Sequence, residues 1–303
     1  MLRRAFVFAL RSGLAGAESF ALLAACSLIA RPLAATEPVH GLWIWKSAWV
    51  LEAPNAAEAL VKFCAAENIN EVYISVSARS AAAEEPQLAL LIALLHQSNI
   101  RAEALLSSAD ADEPGKHRDT FLRHVQEIVK FNQRHVAERF DGVHLDIEPQ
   151  QRPENKGPGN LGFLSDLVET FRAAQAIAEP ARLTVNVDIQ SKLLRGDIAE
   201  RKMLLSAVPR VTLMMYELSS PGDGDSPEQQ GEKAQKASQK FLNMAYAGLP
   251  AKNVAGMAIA LRTPDYGELL PQMLKKLDDA NRGNPRYLGW AWHAYGDYLK
   301  SAQ

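Results

Sequence analysis

Asp146 and Glu148, two carboxylates two residues apart, are the side chains of this sequence best arranged to do chemistry. They lie in the run Phe140-Asp-Gly-Val-His-Leu-Asp-Ile-Glu-Pro149. Side chains alternate across a strand, so Val143, Leu145 and Ile147 share one face and His144, Asp146 and Glu148 the other. Pro149 lacks an N–H for the ladder and ends the strand there. Neighbouring carboxyls raise one another's pKa, which lets one of them stay protonated and act as a general acid. Three ionisable groups in one inward row are costly unless each is paired, hydrogen-bonded or neutralised.

The elements that must hold this row follow from an alternation of patterns after residue 40. Short apolar runs rich in Val, Ile, Leu, Trp and Tyr occur at Gly41–Ser47, Asn70–Ser77, Arg101–Ser107, Asp141–Glu148, Arg182–Gln190, Arg210–Glu217, Asn253–Leu261 and Tyr287–His293. They read as strands buried on both faces. Helical patterns separate them at Ala56–Glu67, Gln87–Gln97, Thr120–Val136, Leu161–Ile177, Ser191–Ser206, Glu232–Ala247 and Tyr266–Asn281. Pro86 fits a helix start, Asn99 a helix end, and Asp119 a cap of the third helix. This alternation predicts an α/β fold of parallel βαβ units. Eight strands over roughly 265 residues suit a single-domain (β/α)8 barrel. The rival, an open doubly wound sheet, lacks its Gly-rich phosphate loop after the first strand. In a barrel, Asp146 and Glu148 fall at the C-terminal rim, where such folds carry their chemistry. The loops Ser108–His117, Gln150–Asn160 and Leu218–Gly231 look long and flexible and belong to the same face.

Composition sets outer bounds. With 48% hydrophobic and 22% charged residues, the chain has ample material for a core. A net charge of −2 provides no basic field for nucleic acid or an acidic membrane surface. Residues 1–35 read as a secretory signal: Arg3 and Arg4 precede an apolar run, Phe20–Ala30, and Ala34-Ala35 offers a small-residue cleavage site. The run is too short for a mature span. Leu23-Ala-Ala-Cys26 also resembles a lipobox, so a lipid on Cys26 is the other reading. The signal segment or that lipid is the sole membrane link expected, and the chain is expected to be exported, to the periplasm or beyond. The barrel is then residues 36–303. Cys64, on the apolar face of a helix with Leu60 and Phe63, reads as a buried inert thiol.

The fourth apolar run resembles the fourth-strand signature of glycoside hydrolase family 18, the chitinase-like barrels, Asp-Gly-x-Asp-x-Asp-x-Glu. Asp141, Gly142, Asp146 and Glu148 match it, and His144 stands where the family has an Asp. Met214-Met215-Tyr216-Glu217 is similar to the family's Met-x-Tyr-Asp, with Glu for Asp. The family's Ser-x-Gly-Gly of the third strand is replaced by Ser107-Ser108-Ala109-Asp110. The resemblance implies an oligo- or polysaccharide substrate, no cofactor, and hydrolysis of a glycosidic bond. Glu148 would be the acid, Asp146 would orient the substrate's own N-acetyl nucleophile, and Tyr216 would hydrogen-bond that group. Trp292, in Gly289-Trp-Ala-Trp-His293, would be the inward Trp under the sugar, and Glu217 a further substrate contact.

Other inward groups join the candidate site. Asp188 is a substrate contact, a second carboxylate or core filling. Tyr73, Ser75 and Ser77 line the interior, Trp43 and Trp45 are a sugar platform or core, and Arg262 binds substrate or pairs with a carboxylate. His144 beneath Asp146 would donate a hydrogen bond that keeps it ionised. Two other functions fit the same residues: a metal-dependent hydrolase using His144, Asp146, Glu148 and Asp188, and a chitinase-like barrel that binds sugar without turnover.

Overall fold

The structure is a computed structural model, and it describes residues 38–76, 84–157, 160–216, 227–262 and 269–301. The expected signal segment with Cys26, Ser77, Glu217 and the acidic loop up to residue 226 lie outside the described residues.

Eight parallel strands close into a barrel in chain order. They are β1 (Val39–Ile44), β2 (Glu71–Ser75), β3 (Arg101–Ser108), β4 (Gly142–Ile147), β5 (Thr184–Gln190), β6 (Arg210–Met214), β7 (Gly256–Arg262) and β8 (Tyr287–His293). β8 returns to pair with β1, so no edge is left open. The connecting helices are α1 (Ala56–Ala66), α2 (Glu85–Gln97), α3 (Lys116–Arg134), α4 (Leu164–Ala178), α5 (Ile198–Leu205), α6 (Pro227–Tyr246) and α7 (Leu269–Asn281), and α8 (Tyr295–Ser301) follows β8. The expected (β/α)8 barrel is the observed fold.

Local signals explain most element ends. Pro86 sits in the first turn of α2, and Asn99 adopts φ 58 just beyond its end. Two expectations fail for stated reasons. α3 begins at Lys116, because Gly115 takes the cap position with φ 86, and Asp119 lies in the first turn instead of capping. The single helix expected over Ser191–Ser206 is broken into a short turn, Ser191–Leu194, and α5. Asp197 and Glu200 form a capping box that restarts the helix: each side chain accepts from the other's backbone N–H, at 2.9 and 2.8 Å.

The outward strand faces pack on the helices in one large core, from Leu42 and Ile44 on β1 to Trp290 and Trp292 on β8. Cys64 is buried there, and burial pushes its thiol up to about 12, as an inert residue requires. A second, smaller cluster fills the interior: Trp43, Tyr73, Leu105, Ala260, Ala291 and Ala294, with Trp45 and Tyr216 against it. Gly41 faces inward with no room for a Cβ, which would meet the Tyr73 hydroxyl and the Ala291 side chain. β8 carries one extra residue opposite Met257/Ala258, because Met257 pairs with Tyr287 and Ala258 with Gly289. Gly289 has φ 132, and a side chain there would strike the Val39 backbone. Beyond this bulge Ala291 and His293 face inward and Trp290 and Trp292 outward. Among the described residues no helix is long and apolar enough to cross a membrane.

Candidate active site

The inward row of β4 rises through a buried polar column. At its foot, Arg210 of β6 donates to Glu71 of β2 at 3.0 Å and to Glu103 of β3 at 2.8 Å. Arg101 adds a bond to Glu71 at 3.2 Å, and Asn186 of β5 donates to Glu103. Burial alone would raise the Glu103 pKa, but the Arg210 charge and the His144 hydrogen bond outweigh it and hold it at about 2. Sequence reasoning missed Glu71, Glu103 and Arg210 as one network. The available signal was a charged residue at the inward parity of three otherwise apolar strands.

His144 is the next rung. Its Nδ1 donates to Glu103 at 3.0 Å and its Nε2 to Asp188 at 2.7 Å, with 0% exposure. Burial lowers an imidazole pKa, yet the Asp188 charge and the two acceptors raise this one to about 10. His144 is therefore an imidazolium at neutral pH. Its ring stacks on Tyr73 at 3.8 Å, and Trp43 stands edge-on to it. Trp43 also donates to Asp188 at 3.3 Å. Burial raises the Asp188 pKa above the ordinary carboxyl value, and the charge and hydrogen bond of His144 offset part of that rise.

This arrangement corrects one expectation. His144 bonds the carboxylates of β3 and β5 and makes no hydrogen bond to Asp146. Both its nitrogens are used, so binding a metal would cost one of these two bonds; among the described residues no three metal-competent side chains gather. Tyr73, also fully buried, lies in the barrel interior beside His144.

Asp146 tops the column. Ser107 Oγ donates to its Oδ2 at 3.2 Å, while its Oδ1 is buried with no partner among the described residues. Burial, then the charges of Asp188 and Glu148, push its pKa well above the ordinary carboxyl value. Glu148 follows β4 and opens a short turn, Pro149–Gln151, its N–H donating to Ser108 O at 2.9 Å. Gln190 at the end of β5 donates to its Oε1 at 2.7 Å and Gln150 at 3.1 Å, with Gln151 on Oε2. Burial raises the Glu148 pKa, the Gln190 bond lowers it, and the Asp188 charge raises it again, leaving it above the ordinary value. Gln150 has a buried carbonyl oxygen without a partner, so a flip of that amide offers an acceptor to a protonated Glu148.

Aromatic groups close the rim opposite. Tyr216, just after β6, lies 4.8 Å from the His293 ring centroid. Burial and the charges of Asp188, Asp146 and Glu148 keep its hydroxyl protonated. Trp45 donates to His293 Nε2 at 2.6 Å, so that nitrogen is an acceptor and the ring is neutral. Burial, with the Arg262 charge, lowers the His293 pKa to about 4. Arg262 ends β7, paired in register with His293, and is exposed at the rim. Trp292 corrects another expectation: it faces outward, 5.4 Å from Phe63 of α1, because the bulge at Gly289 sets the parity of β8. His293 holds the inward position instead.

Two expected flexible loops are clasped together. Arg152, after β4, pairs with Asp112 at 2.8 Å and Glu113 at 2.6 Å, after β3. Two clefts flank the carboxyl pair. One of about 320 Å³ lies by Ser107, Ser108, Asp110, His117 and His124. The other, about 270 Å³, lies by Gln190 and Tyr216.

No protein-family model matches the chain, and no curated protein matches it. Solved structures do resemble it. The PgaB (BpsB) glycoside hydrolase domain from Bordetella bronchiseptica has a TM-score of 0.53 and 11% identity, covering 87% of this chain and 95% of that one. The GH5_18 protein of Bifidobacterium longum in complex with Manβ1-4GlcNAc gives 0.59 and 10%, covering 85% and 69%. The GH5_18 protein of Streptomyces cattleya in complex with GlcNAc gives 0.58 and 13%, covering 85% and 70%. At these identities the likeness is one of fold.

Proposed function

We propose that this chain is a glycoside hydrolase acting on an N-acetylated glycan, with Glu148 as general acid and Asp146 as the group that orients the substrate. One observation carries the reading. At the rim, Glu148 has a raised pKa beside a buried Asp146 whose Oδ1 lacks a partner among the described residues. A substrate amide N–H would complete that oxygen, and a glycosidic oxygen would take the Glu148 proton.

The steps then balance. Glu148 protonates the glycosidic oxygen as the bond to the anomeric carbon breaks. The N-acetyl carbonyl oxygen attacks that carbon, its N–H held by Asp146 Oδ1. The Tyr216 hydroxyl donates to the acetyl group. Water enters with Glu148, now a carboxylate, as base, and the cyclic intermediate opens. No second enzymic nucleophile is needed, a known exception to the two-carboxylate scheme. The sugar ligands of the GH5_18 structures and the hydrolase domain of PgaB support a carbohydrate in this kind of barrel. The features of residues 1–35 add that the reaction takes place outside the cytoplasm.

The test is a screen of wild type and Glu148→Gln against N-acetylated bacterial and fungal glycans. Loss of a positioned acid costs roughly 10²–10⁴-fold in rate. A variant with full activity on a glycan that wild type cleaves would sink the assignment. Binding without product in both proteins would favour the non-catalytic sugar-binding barrel.

A further inference from the structure

The cleft beside Gln190 and Tyr216 has a chemistry of its own. Lys192 and Arg195 line it together with Ser191 and Phe241 of α6, and none of its described lining residues is acidic. Gln190 links it directly to the carboxyl pair, because the same side chain donates to Glu148 at 2.7 Å. Both cations follow β5 in the short turn and the loop before α5.

Neither cation has a carboxylate partner among the described residues. Lys192 is half-buried, with its ammonium 5.9 Å from the centre of the Phe163 ring. Asp197, the nearest acid in sequence to Arg195, spends its carboxylate capping α5. Arg195 is exposed. Burial depresses the Lys192 pKa with no anion to offset it. Two cations with no carboxylate partner among the described residues thus line a cleft of about 270 Å³. The volume is near the lower end for ligand pockets, roughly 300 Å³, which suits a single sugar unit or substituent.

We propose that this cleft is an anion-recognising subsite, so that the preferred substrate is a glycan bearing a carboxylate or phosphate on a sugar unit next to the bond cleaved at Glu148. This rests on the hydrolase reading for the word substrate, but not for the binding. Arg195 offers a planar fork of donors and Lys192 a point charge, the combination that grips carboxylate and phosphate oxygens. Gln190 couples the subsite to the chemistry: an anion placed beside it fixes the sugar whose glycosidic oxygen faces Glu148.

Calorimetry and hydrolysis together test the idea. The probes are a hyaluronan tetrasaccharide and its carboxyl-reduced counterpart, and a 6-phosphorylated chitotetraose and its unphosphorylated counterpart. Wild type should bind at least one acidic probe roughly 10- to 100-fold more tightly than its neutral partner, the range of a hydrogen bond to a charged group. That preference should fall towards unity with added salt and in Lys192→Ala/Arg195→Ala. Whichever pair shows it identifies carboxylate or phosphate. Equal affinities for acidic and neutral members in both pairs overturn the subsite, and so does a preference that the double variant keeps. Acidic preference in binding with no cleavage of any probe retains the subsite and removes the hydrolase reading.

Discussion

His144 Nε2 lies 2.7 Å from Asp188 Oδ1, both residues being essentially sealed from solvent. With Glu103 on the other ring nitrogen, the imidazolium balances two carboxylates that would otherwise repel. Removing it leaves Asp188 with the Trp43 bond and no cation, and Glu103 with Arg210 and Asn186. We expect His144→Leu to lose about 3–5 kcal/mol of stability, the usual cost of breaking a buried ion pair from one side. Denaturant unfolding checks this, and a loss below about 1 kcal/mol would mean that Glu103 is satisfied by Arg210 and Asn186 alone.

The same column predicts a loss of stability at both ends of the pH scale. The His144 pKa is raised from 6.5 to about 10, so its contribution is complete below 6.5 and fades as pH climbs towards 10. The Glu103 pKa is lowered from 4.5 to about 2, so its contribution is complete above 4.5 and fades as pH falls towards 2. Melting temperature against pH should therefore fall off on both sides. In His144→Leu the alkaline decline should weaken.

Gln190 provides a kinetic test of the acid. Its amide N–H stabilises the ionised form of Glu148, so removing it favours the protonated form. In Gln190→Leu the alkaline limb of kcat/KM should move to higher pH by about 0.5–1 unit, since one ordinary hydrogen bond is worth ~1 kcal/mol. An unmoved limb would show that another group titrates there.

The two tryptophans Trp45 and Trp292 should separate cleanly. Trp292 packs against Phe63 in the outer core, so Trp292→Ala should destabilise by about 3–5 kcal/mol. Trp45 stands half-buried at the rim on His293, so Trp45→Ala should raise KM for the cleaved glycan with a smaller stability loss. Fluorescence-monitored unfolding and steady-state kinetics on both variants distinguish these outcomes.

Much was legible in the sequence because it depends on local periodicity. The period-2 alternation of Val143, Leu145 and Ile147 against His144 and Asp146 sets the two faces of β4 in any sheet, and the alternation of runs along the chain implies the closed barrel. Pro86, Asn99 and Pro149 marked element ends by backbone chemistry that needs no partner. Cys64 declared its burial through its neighbours on one helix face.

Partnership across strands was not legible, since hydrogen bonds form between residues brought level by barrel register. Glu103 and His144 are 41 positions apart, and Arg210 and Glu71 are 139 apart. The register of β3, β4 and β5 made His144 a partner of Glu103 and Asp188 instead of Asp146, and closure brought Arg210 of β6 to Glu71 of β2. Likewise, one extra residue at the Gly289 bulge turned Trp292 outward and His293 inward, because a shift of one residue exchanges the faces of a strand. The sequence by itself determined that Asp146 and Glu148 stand on one face at a barrel rim. The tertiary structure decided what lies beneath and beside them: a buried column of alternating charge below, and a cation-lined cleft at the end of β5.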